Sequence, residues 1–310
     1  MAKEKNFVSA VVYAHNCRDA IGQAVQGLIL ILQNEFEHYE LILIDDGSED
    51  GTADEVREIC ARMPGDPNLT ILTLTRYHGL EDAMRAGVDL SIGDFVFEFD
   101  MLPSAPDASP VMELYRKSLD GFDIVSASPK REGRWSSRMF YSVFNRAADL
   151  DNPLETEIFR VVSRRAINRV MSATQYVPYR KVAYANCGLP QARVYFDYDG
   201  ANKKLRDGLE GRFRSDLAVD SLVLFTHVGY RAAFGLSVAM IVFTLVVSAY
   251  SLVVYFSGGA ITGWTTTILF LSFSFFCLFG VLAIAIKYLQ VLVDIVFRRQ
   301  RYSFDRIERL

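Results

Sequence analysis

The sequence is poor in cysteine, and its 4 cysteines are scattered. They are Cys17, Cys60, Cys187 and Cys277, and no two of them form a CxxC pair. Zinc sites and disulfide scaffolds normally show closely paired cysteines. The spacing therefore argues against both kinds of site and favours a reducing compartment.

The sequence also lacks two common nucleotide-binding patterns and any excess of positive charge. Neither a GxGxxG fingerprint nor a Walker A loop occurs, so a nucleotide would be held in another way. The formal net charge of −4 and the pI of about 5.7 argue against a general nucleic-acid-binding protein. The apolar run near the N-terminus is too short for a signal peptide, and we therefore expect the N-terminal domain to be cytoplasmic.

Two segments near the C-terminus lack charge altogether. Residues 232–256 and 264–286 contain no Asp, Glu, Lys or Arg. At ~1.5 Å per residue, each is long enough to cross a ~30 Å hydrocarbon core. Basic residues flank the pair on both outer sides and are missing from the connecting residues 257–263. The positive-inside rule then predicts a transmembrane hairpin with both termini in the cytoplasm.

The residues before the hairpin alternate between strand-like and helix-like patterns, which predicts an α/β fold with an open, mostly parallel sheet. The predicted domains are residues 1–200, a juxtamembrane amphipathic segment at 201–231, and a hairpin with a basic cytoplasmic tail at 232–310. The predicted strands are residues 7–13, 40–44, 69–74, 94–99, 123–127 and 192–196, and the main predicted helices are 18–32, 52–63, 80–91, 111–119 and 140–148. Two further segments, 158–162 and 164–171, lie between residues 148 and 192 and are not assigned to strand or helix.

The stretch LILIDDGSEDGT, residues 41–52, is the centre of this pattern. An apolar strand runs into Asp45 and Asp46, and a Gly47-Ser48 turn then leads into a helix. Ligands of open α/β sheets bind at the carboxyl ends of the strands, where these two carboxylates are expected. The alternative is a turn that uses Asp and Gly for backbone reasons alone.

The order and spacing of several motifs resemble those of family-2 glycosyltransferases with the GT-A fold. The similar branch is membrane-bound, uses polyprenyl phosphate acceptors, and includes dolichol-phosphate-mannose synthases and bactoprenol glucosyltransferases. The resemblance rests on the first strand with Asn16, IDDGSEDGT at 44–52, the turn at 76–79, GDFVFEFD at 93–100, SSRMFY at 136–141, FRVVSRR at 159–165, the uncharged pair of segments and the basic tail near 301–302.

The resemblance implies an inverting hexosyltransferase that moves a sugar from a nucleotide sugar to undecaprenyl or dolichyl phosphate. It implies that the protein binds the membrane and forms homo-oligomers, as members of this branch often do. Its implied nucleotide-binding residues are Tyr13, Asn16, Asp45, Asp46 and Gly79. Its implied acceptor-phosphate residues are Ser137, Arg138 and Arg160, and its implied catalytic residues are Asp100, which is also the metal ligand, Arg138 and Arg160.

The sequence departs from the family pattern at the sugar-diphosphate end. The second metal carboxylate falls on Leu102 and the catalytic-base position falls on Ile158. Glu98 with Asp100 is a shifted alternative to the metal pair, although strand alternation argues against it. We therefore predict weak dependence on Mg²⁺ or Mn²⁺. A pseudo-glycosyltransferase that binds a partner without transfer is the alternative function.

Simpler roles remain open for several of these residues. Asp100 could cap the end of a strand, and Arg160 could form an ordinary ion pair with Glu155 or Glu157. His15 and His78 are predicted to be ordinary loop residues.

Overall fold

The computed structural model describes residues 3–103, 106–130, 152–173, 179–196, 263–297 and 302–310, with scattered positions within 141–146 and 235–250. The chain divides into two compact units. One comprises Met1–Ala218 together with Gln300–Leu310, and the other comprises Val219–Arg299. The C-terminal residues therefore belong to the same unit as the N-terminal α/β region.

The first unit contains an 8-stranded sheet with the order β7-β5-β6-β4-β1-β2-β3-β8. The strands are β1 Glu4–Ala14, β2 Phe36–Asp45, β3 Leu69–Leu74, β4 Phe95–Phe99, β5 Ile124–Pro129, β6 Phe159–Ser163, β7 Gln191–Phe196 and β8 Phe304–Arg309. The helices of this unit with described bounds are α1 Arg18–Glu35, α2 Thr52–Arg62, α3 Leu80–Leu90, α4 Ala108–Leu119, α5 Arg164–Ala173 and α6 Arg180–Ala185.

The central strands of the sheet run in the same direction. β1 pairs in parallel with both β2 and β4, and β2 pairs in parallel with β3. β5 and β7 are also parallel, whereas β6 runs antiparallel to β4 and β5. The prediction of an α/β fold with a mostly parallel sheet is thus confirmed.

Helices cover both faces of the sheet, and for this reason the central strands are mostly apolar. The last seven residues of β1 are all buried. Alternate side chains of β1 enter different cores, since Val8, Ala10 and Val12 join one cluster and Val11 and Tyr13 join the other. The two cores hold the carboxyl ends of β1, β2 and β4 at one edge.

The boundary between α1 and β2 differs from the prediction, which began the strand at residue 40. The helix ends at Glu35, and Phe36 is already extended, with φ −119° and ψ 143°. Phe36 is buried, and its ring lies 5.0 Å from that of Tyr115. Exposed polar residues at positions 37 and 38 conceal the alternation in the sequence, and the buried Phe36 begins the strand.

Strand β8, near the C-terminus, was not predicted. It runs antiparallel to β3 and completes one edge of the sheet. Its side chains are mostly exposed, so the sequence has no apolar alternation to mark it as a strand.

The second unit contains helix α7, Trp264–Phe297. Large apolar side chains on it are exposed, among them Phe276 at 73% and Phe279 at 61%. Among the described residues, no helix was found long and apolar enough to cross a membrane. The predicted transmembrane hairpin is therefore not confirmed. The juxtamembrane segment 201–231, most of the first predicted span 232–256 and nearly all of the loop 257–263 lie outside the described residues.

Candidate functional site

The candidate site lies where β1, β2, β3 and β4 end. Ala14 pairs in register with Asp45, and Val12 pairs with Phe99, so these parallel strands finish at the same edge. The residues that follow them are brought together there, as expected for the binding edge of an open α/β sheet. Two groups of polar side chains occupy this edge, one after β1, β2 and β3 and the other after β4.

The first group is organised around the carboxylate of Asp46, which is fully buried. Its Oδ1 accepts a hydrogen bond from the backbone N–H of His78 at 2.8 Å, and its Oδ2 accepts one from Gly79 at 2.8 Å. The hydroxyl of Tyr13 also donates to Oδ2, at 3.2 Å. Burial raises the pKa of Asp46, while the two backbone hydrogen bonds oppose that rise. Asp46 therefore ties the end of β1 to the loop before α3.

Asp45 shapes the tight turn that follows β2. Its Oδ1 accepts the backbone N–H of Ser48 at 3.2 Å, and burial raises its pKa. Gly47 in this turn has φ +64°, and a Cβ there would lie 2.6 Å from the carbonyl carbon of Arg76. Only glycine allows the turn to pack this closely against the loop after β3. The contacts thus agree in part with the alternative that these residues serve the backbone of the turn, because both carboxylates hold turns in place.

Asn16 and His15 join the loop after β1 to the turn after β2. The backbone N–H of Asn16 donates to Ser48 Oγ at 3.0 Å, and the side-chain oxygen of Asn16 accepts the N–H of Glu49 at 2.9 Å. Asn16 adopts a left-handed conformation, with φ +45°, which asparagine tolerates better than most residues. His15 Nδ1 lies 2.8 Å from the carbonyl oxygen of Asp46. The predicted nucleotide-binding residues are therefore neighbours around one set of turns.

The second group is a cluster of buried charges after β4. Asp100 Oδ1 accepts a hydrogen bond from Arg180 Nη2 at 2.6 Å, and its Oδ2 accepts one from Arg160 Nη2 at 2.8 Å. Burial alone would raise the pKa of Asp100, but the two guanidinium groups hold it below its ordinary value. Asp100 therefore carries a negative charge that is matched by two arginines.

Arg180, which sequence reasoning missed, links three carboxylates. Its Nε donates to Glu81 at 2.9 Å, its Nη1 donates to Glu98, and its Nη2 donates to Asp100. Glu98 is fully buried and also accepts a hydrogen bond from the hydroxyl of Tyr184. The expectation that strand alternation turns Glu98 away from this site is not supported by these contacts. The sequence did contain a signal for a buried basic partner such as Arg180. Glu98 interrupts an otherwise apolar strand, and a buried charge requires a partner.

Arg160 is only 1% exposed. Its Nη2 binds Asp100, while its Nε lies 3.4 Å from Glu157 and its Nη1 lies 3.7 Å from Glu98. Nε and Nη1 make no hydrogen bond within the described part of the chain. Burial would lower the pKa of Arg160, but the surrounding carboxylates, Asp100 first, raise it above its ordinary value. Arg160 thus forms the ion pair with Glu157 that the sequence left open, but it does so in the interior.

The arrangement does not fit a divalent ion held by protein ligands. Both oxygens of Asp100 are already bound by arginines, and Leu102 and Ile158 are buried in the apolar core. Within the described residues, no group of three or more His, Cys, Asp or Glu side chains is placed to hold a metal. The predicted acceptor-phosphate residues Ser137 and Arg138 lie outside the described residues.

Comparison with known proteins identifies similar sequences and structures. Residues 9–101 match the family model "Glycosyl transferase family 2", from within β1 to just beyond β4. The uncharacterized glycosyltransferase YkcC of Bacillus subtilis is 26% identical over 276 residues, which are 84% of this chain and 81% of that protein. An undecaprenyl-phosphate 4-deoxy-4-formamido-L-arabinose transferase of Edwardsiella ictaluri is 30% identical over 145 residues, which are 46% of this chain and 43% of that protein.

Among solved structures, the mannosyltransferase PcManGT of Pyrobaculum calidifontis, solved with GDP-Man and Mn²⁺, is similar with a TM-score of 0.47 and 14% identity. That comparison covers 96% of this chain and 89% of PcManGT.

Proposed function

We propose that the protein is a membrane-attached glycosyltransferase that moves a sugar from a nucleotide sugar to a polyprenyl phosphate. The observation that carries this proposal is the placement of two polar groups at one sheet edge within or beside the family-2 match at 9–101. One is the set of turns around Asp45 and Asp46, and the other is the cluster around Asp100. The names of the Edwardsiella and Bacillus relatives support the same class of reaction.

In this proposal the nucleotide lies over the turns around Asp45 and Asp46, and the diphosphate and sugar lie towards Asp100. An oxygen of the acceptor phosphate attacks the anomeric carbon as the bond from that carbon to the diphosphate oxygen breaks. The bonding electrons leave with the nucleoside diphosphate, and the configuration at the anomeric carbon is inverted. A phosphate monoester is already an anion, so this attack needs little help from a general base. Ile158 at the expected base position is compatible with such a reaction.

Arg160 is proposed to face the acceptor phosphate, as the sequence suggested. Its Nε and Nη1 make no hydrogen bond within the described residues, although they lie 3.4 Å from Glu157 and 3.7 Å from Glu98, and this unused donor capacity supports an anionic ligand. Asp100, Glu98 and Glu157 keep the guanidinium charged and oriented. Charge stabilisation by arginine is preorganised, because these partners are already in place before a ligand arrives.

Membrane attachment is proposed through residues 232–286. Two uncharged segments, 232–256 and 264–286, and the exposed apolar side chains of α7 support it. An acceptor with a long polyprenyl chain stays in the bilayer. A transferase attached to the membrane surface can therefore bind the phosphate group of this acceptor there. The topology proposed from the flanking basic residues keeps both termini in the cytoplasm.

The test is transfer by the purified full-length protein in lipid vesicles that contain undecaprenyl phosphate. A panel of radiolabelled UDP-sugars and GDP-sugars is supplied, and the labelled lipid is extracted. We expect one donor to label the lipid, and Arg160→Lys, which loses the planar guanidinium, to lower the rate. Arg165→Gln, whose guanidinium is exposed and pairs with Asp123, is the control. No labelled lipid with any donor would contradict the transferase proposal.

The arginine-bound state of Asp100 favours a second candidate, a pseudo-glycosyltransferase. Both carboxylate oxygens of Asp100 are bound by arginines, and Leu102 is in the core. Such a protein would bind the nucleotide sugar without transferring the sugar. Nucleotide binding by calorimetry without transfer in the vesicle assay would favour this candidate.

A further inference from the structure

We propose that the C-terminal strand β8 positions the turns around Asp45 and Asp46, the proposed nucleotide pocket, through a contact between Ser303 and His78. This inference rests on the proposed function, because it concerns the same pocket around Asp46. It adds a positioning role for a segment that the sequence marked only as a basic tail. Ser303 comes immediately before β8 and lies at the edge of the sheet where β3 ends.

The loop between β3 and α3 determines how Asp46 is held. The backbone N–H groups of His78 and Gly79 both donate to the Asp46 carboxylate at 2.8 Å. Gly79 has φ +88°, so this loop depends on a backbone conformation that other residues rarely adopt. A shift of the loop would leave the buried carboxylate without its donors, which is costly. Whatever fixes the loop therefore also fixes the pocket.

The imidazole of His78 fixes the loop to the tail. Nδ1 lies 2.5 Å from the carbonyl oxygen of Arg76, and since a carbonyl only accepts, Nδ1 carries the proton. Nε2 is then an acceptor, and the backbone N–H of Ser303 donates to it at 3.2 Å. The His78 side chain is only 6% exposed. His78 is thus more than an ordinary loop residue, because one ring joins the loop before α3 to the chain before β8.

Other contacts hold Ser303 in place opposite His78. The backbone N–H of Thr75 donates to the carbonyl of Ser303 at 3.0 Å. The hydroxyl of Tyr302 donates to Asp89 of α3 at 2.9 Å. At the other end of the strand, Glu308 pairs with Arg57 of α2 at 2.7 Å. The tail is therefore anchored independently on β3, α3 and α2, and it provides a stable support for the loop.

The experiment measures binding of UDP and of GDP to full-length variants by calorimetry, together with hydrogen exchange of the amides of residues 77–80. His78→Phe removes the ring nitrogens, and Ser303→Pro removes the donated N–H. We expect each to weaken the binding of the preferred nucleotide by about fivefold or more, the effect of losing one positioning hydrogen bond, and to speed exchange at 77–80. Glu308→Gln breaks the ion pairs with Arg57 and Arg306 far from His78. Because the contacts of Ser303 with His78 and Thr75 remain, it should change neither measurement.

His78→Gln keeps an acceptor and a donor at the end of its side chain, and we expect it to recover most of the lost affinity. A general loss of stability would also lower the affinity of Glu308→Gln, because that variant weakens the attachment of β8. It would therefore not reproduce the expected order of nucleotide affinities. Wild-type affinity in both His78→Phe and Ser303→Pro would overturn the inference. If the wild type binds neither nucleotide, the proposed function fails. In that case hydrogen exchange still tests the positioning role, and unchanged exchange of the amides of residues 77–80 in His78→Phe and Ser303→Pro would overturn it.

Discussion

Arg160 donates a hydrogen bond from Nη2 to Oδ2 of Asp100 at 2.8 Å, in a part of the protein where Arg160 is almost completely buried. The two residues are 60 positions apart in the chain and lie on the antiparallel neighbours β4 and β6 or immediately after them. Arg180 binds the other oxygen of the same carboxylate. The cluster neutralises charges that would each be costly in an apolar interior.

Replacing Asp100 by Asn should destabilise the fold. The substitution leaves Arg160 and Arg180 with one charge fewer to balance them, and breaking a buried pair typically costs ~3 kcal/mol or more. Urea denaturation followed by circular dichroism measures the loss. Glu155→Gln breaks an exposed pair with Arg193 and should cost at most ~1 kcal/mol. Equal losses in the two variants would show that the cluster contributes no more than a surface pair.

The stability difference between wild type and Asp100→Asn should shrink as the pH falls. The arginines hold the pKa of Asp100 below its ordinary value of 3.8, so below about that pH the unfolded chain takes up a proton more readily than the folded protein. The stabilisation is therefore fully present above that pH and is lost as the pH falls through the lower, folded-state pKa. Urea unfolding at pH 6, 4 and 3 tests this sign. A difference that grows towards pH 3 would contradict the assignment of the charge to Asp100.

Replacing Asp46 by Ala should weaken nucleotide binding because the loop before α3 loses its anchor. The loss of hydrogen bonds to a buried carboxylate corresponds to ~1.5–3 kcal/mol of binding or folding free energy. Calorimetry with UDP and GDP measures the binding, and Asp45→Ala should show a loss of similar size. Asp107→Asn, which alters the N-cap of α4, is the control. Unchanged affinity in both pocket variants, with the fold intact, would move the nucleotide elsewhere.

Donor binding should depend only weakly on metal. Asp100 is held by arginines, and Leu102 provides no ligand, so replacing Mn²⁺ by EDTA should change donor affinity by less than ~10-fold, or about 1.4 kcal/mol. Leu102→Asp should lower stability rather than create a metal site, because Leu102 is 7% exposed and packs in the core. If donor binding by the wild type requires Mn²⁺, the protein has a metal-ligating residue outside the described residues.

Membrane attachment should be lost when the second unit is removed and the tail is kept. The informative variant joins residue 218 to residue 300 through Gly/Ser linkers of several lengths, since residues 300–310 belong to the first unit. We expect it in the soluble fraction after fractionation. A variant that ends at residue 218 also loses β8 and exposes the edge of β3, so it should be less stable and more prone to aggregate. Retention of the linked variant on salt-washed membranes would contradict attachment through residues 219–299.

The sequence by itself determined the chain order of the strands and helices from β1 to β5 and the turn after β2. Apolar runs followed by helical periodicity depend on local spacing, which is readable without the fold. The Asp45-Asp46-Gly47-Ser48 turn was equally readable, because its residues are chosen by local backbone geometry. The sequence did not reveal that Asp46 is held by the backbone of residues 78 and 79, which are more than 30 positions away.

Only the tertiary structure decided what the charged residues do. Arg180 meets Asp100 across 80 residues of chain, and nothing in the local pattern of α6 marks it as the partner of three carboxylates. β8 was hidden for a related reason, since an exposed edge strand is held by backbone hydrogen bonds to β3 and needs no apolar alternation of its own. Long-range ion pairs and edge pairing depend on which segments the fold brings together, and that information is absent from any single segment.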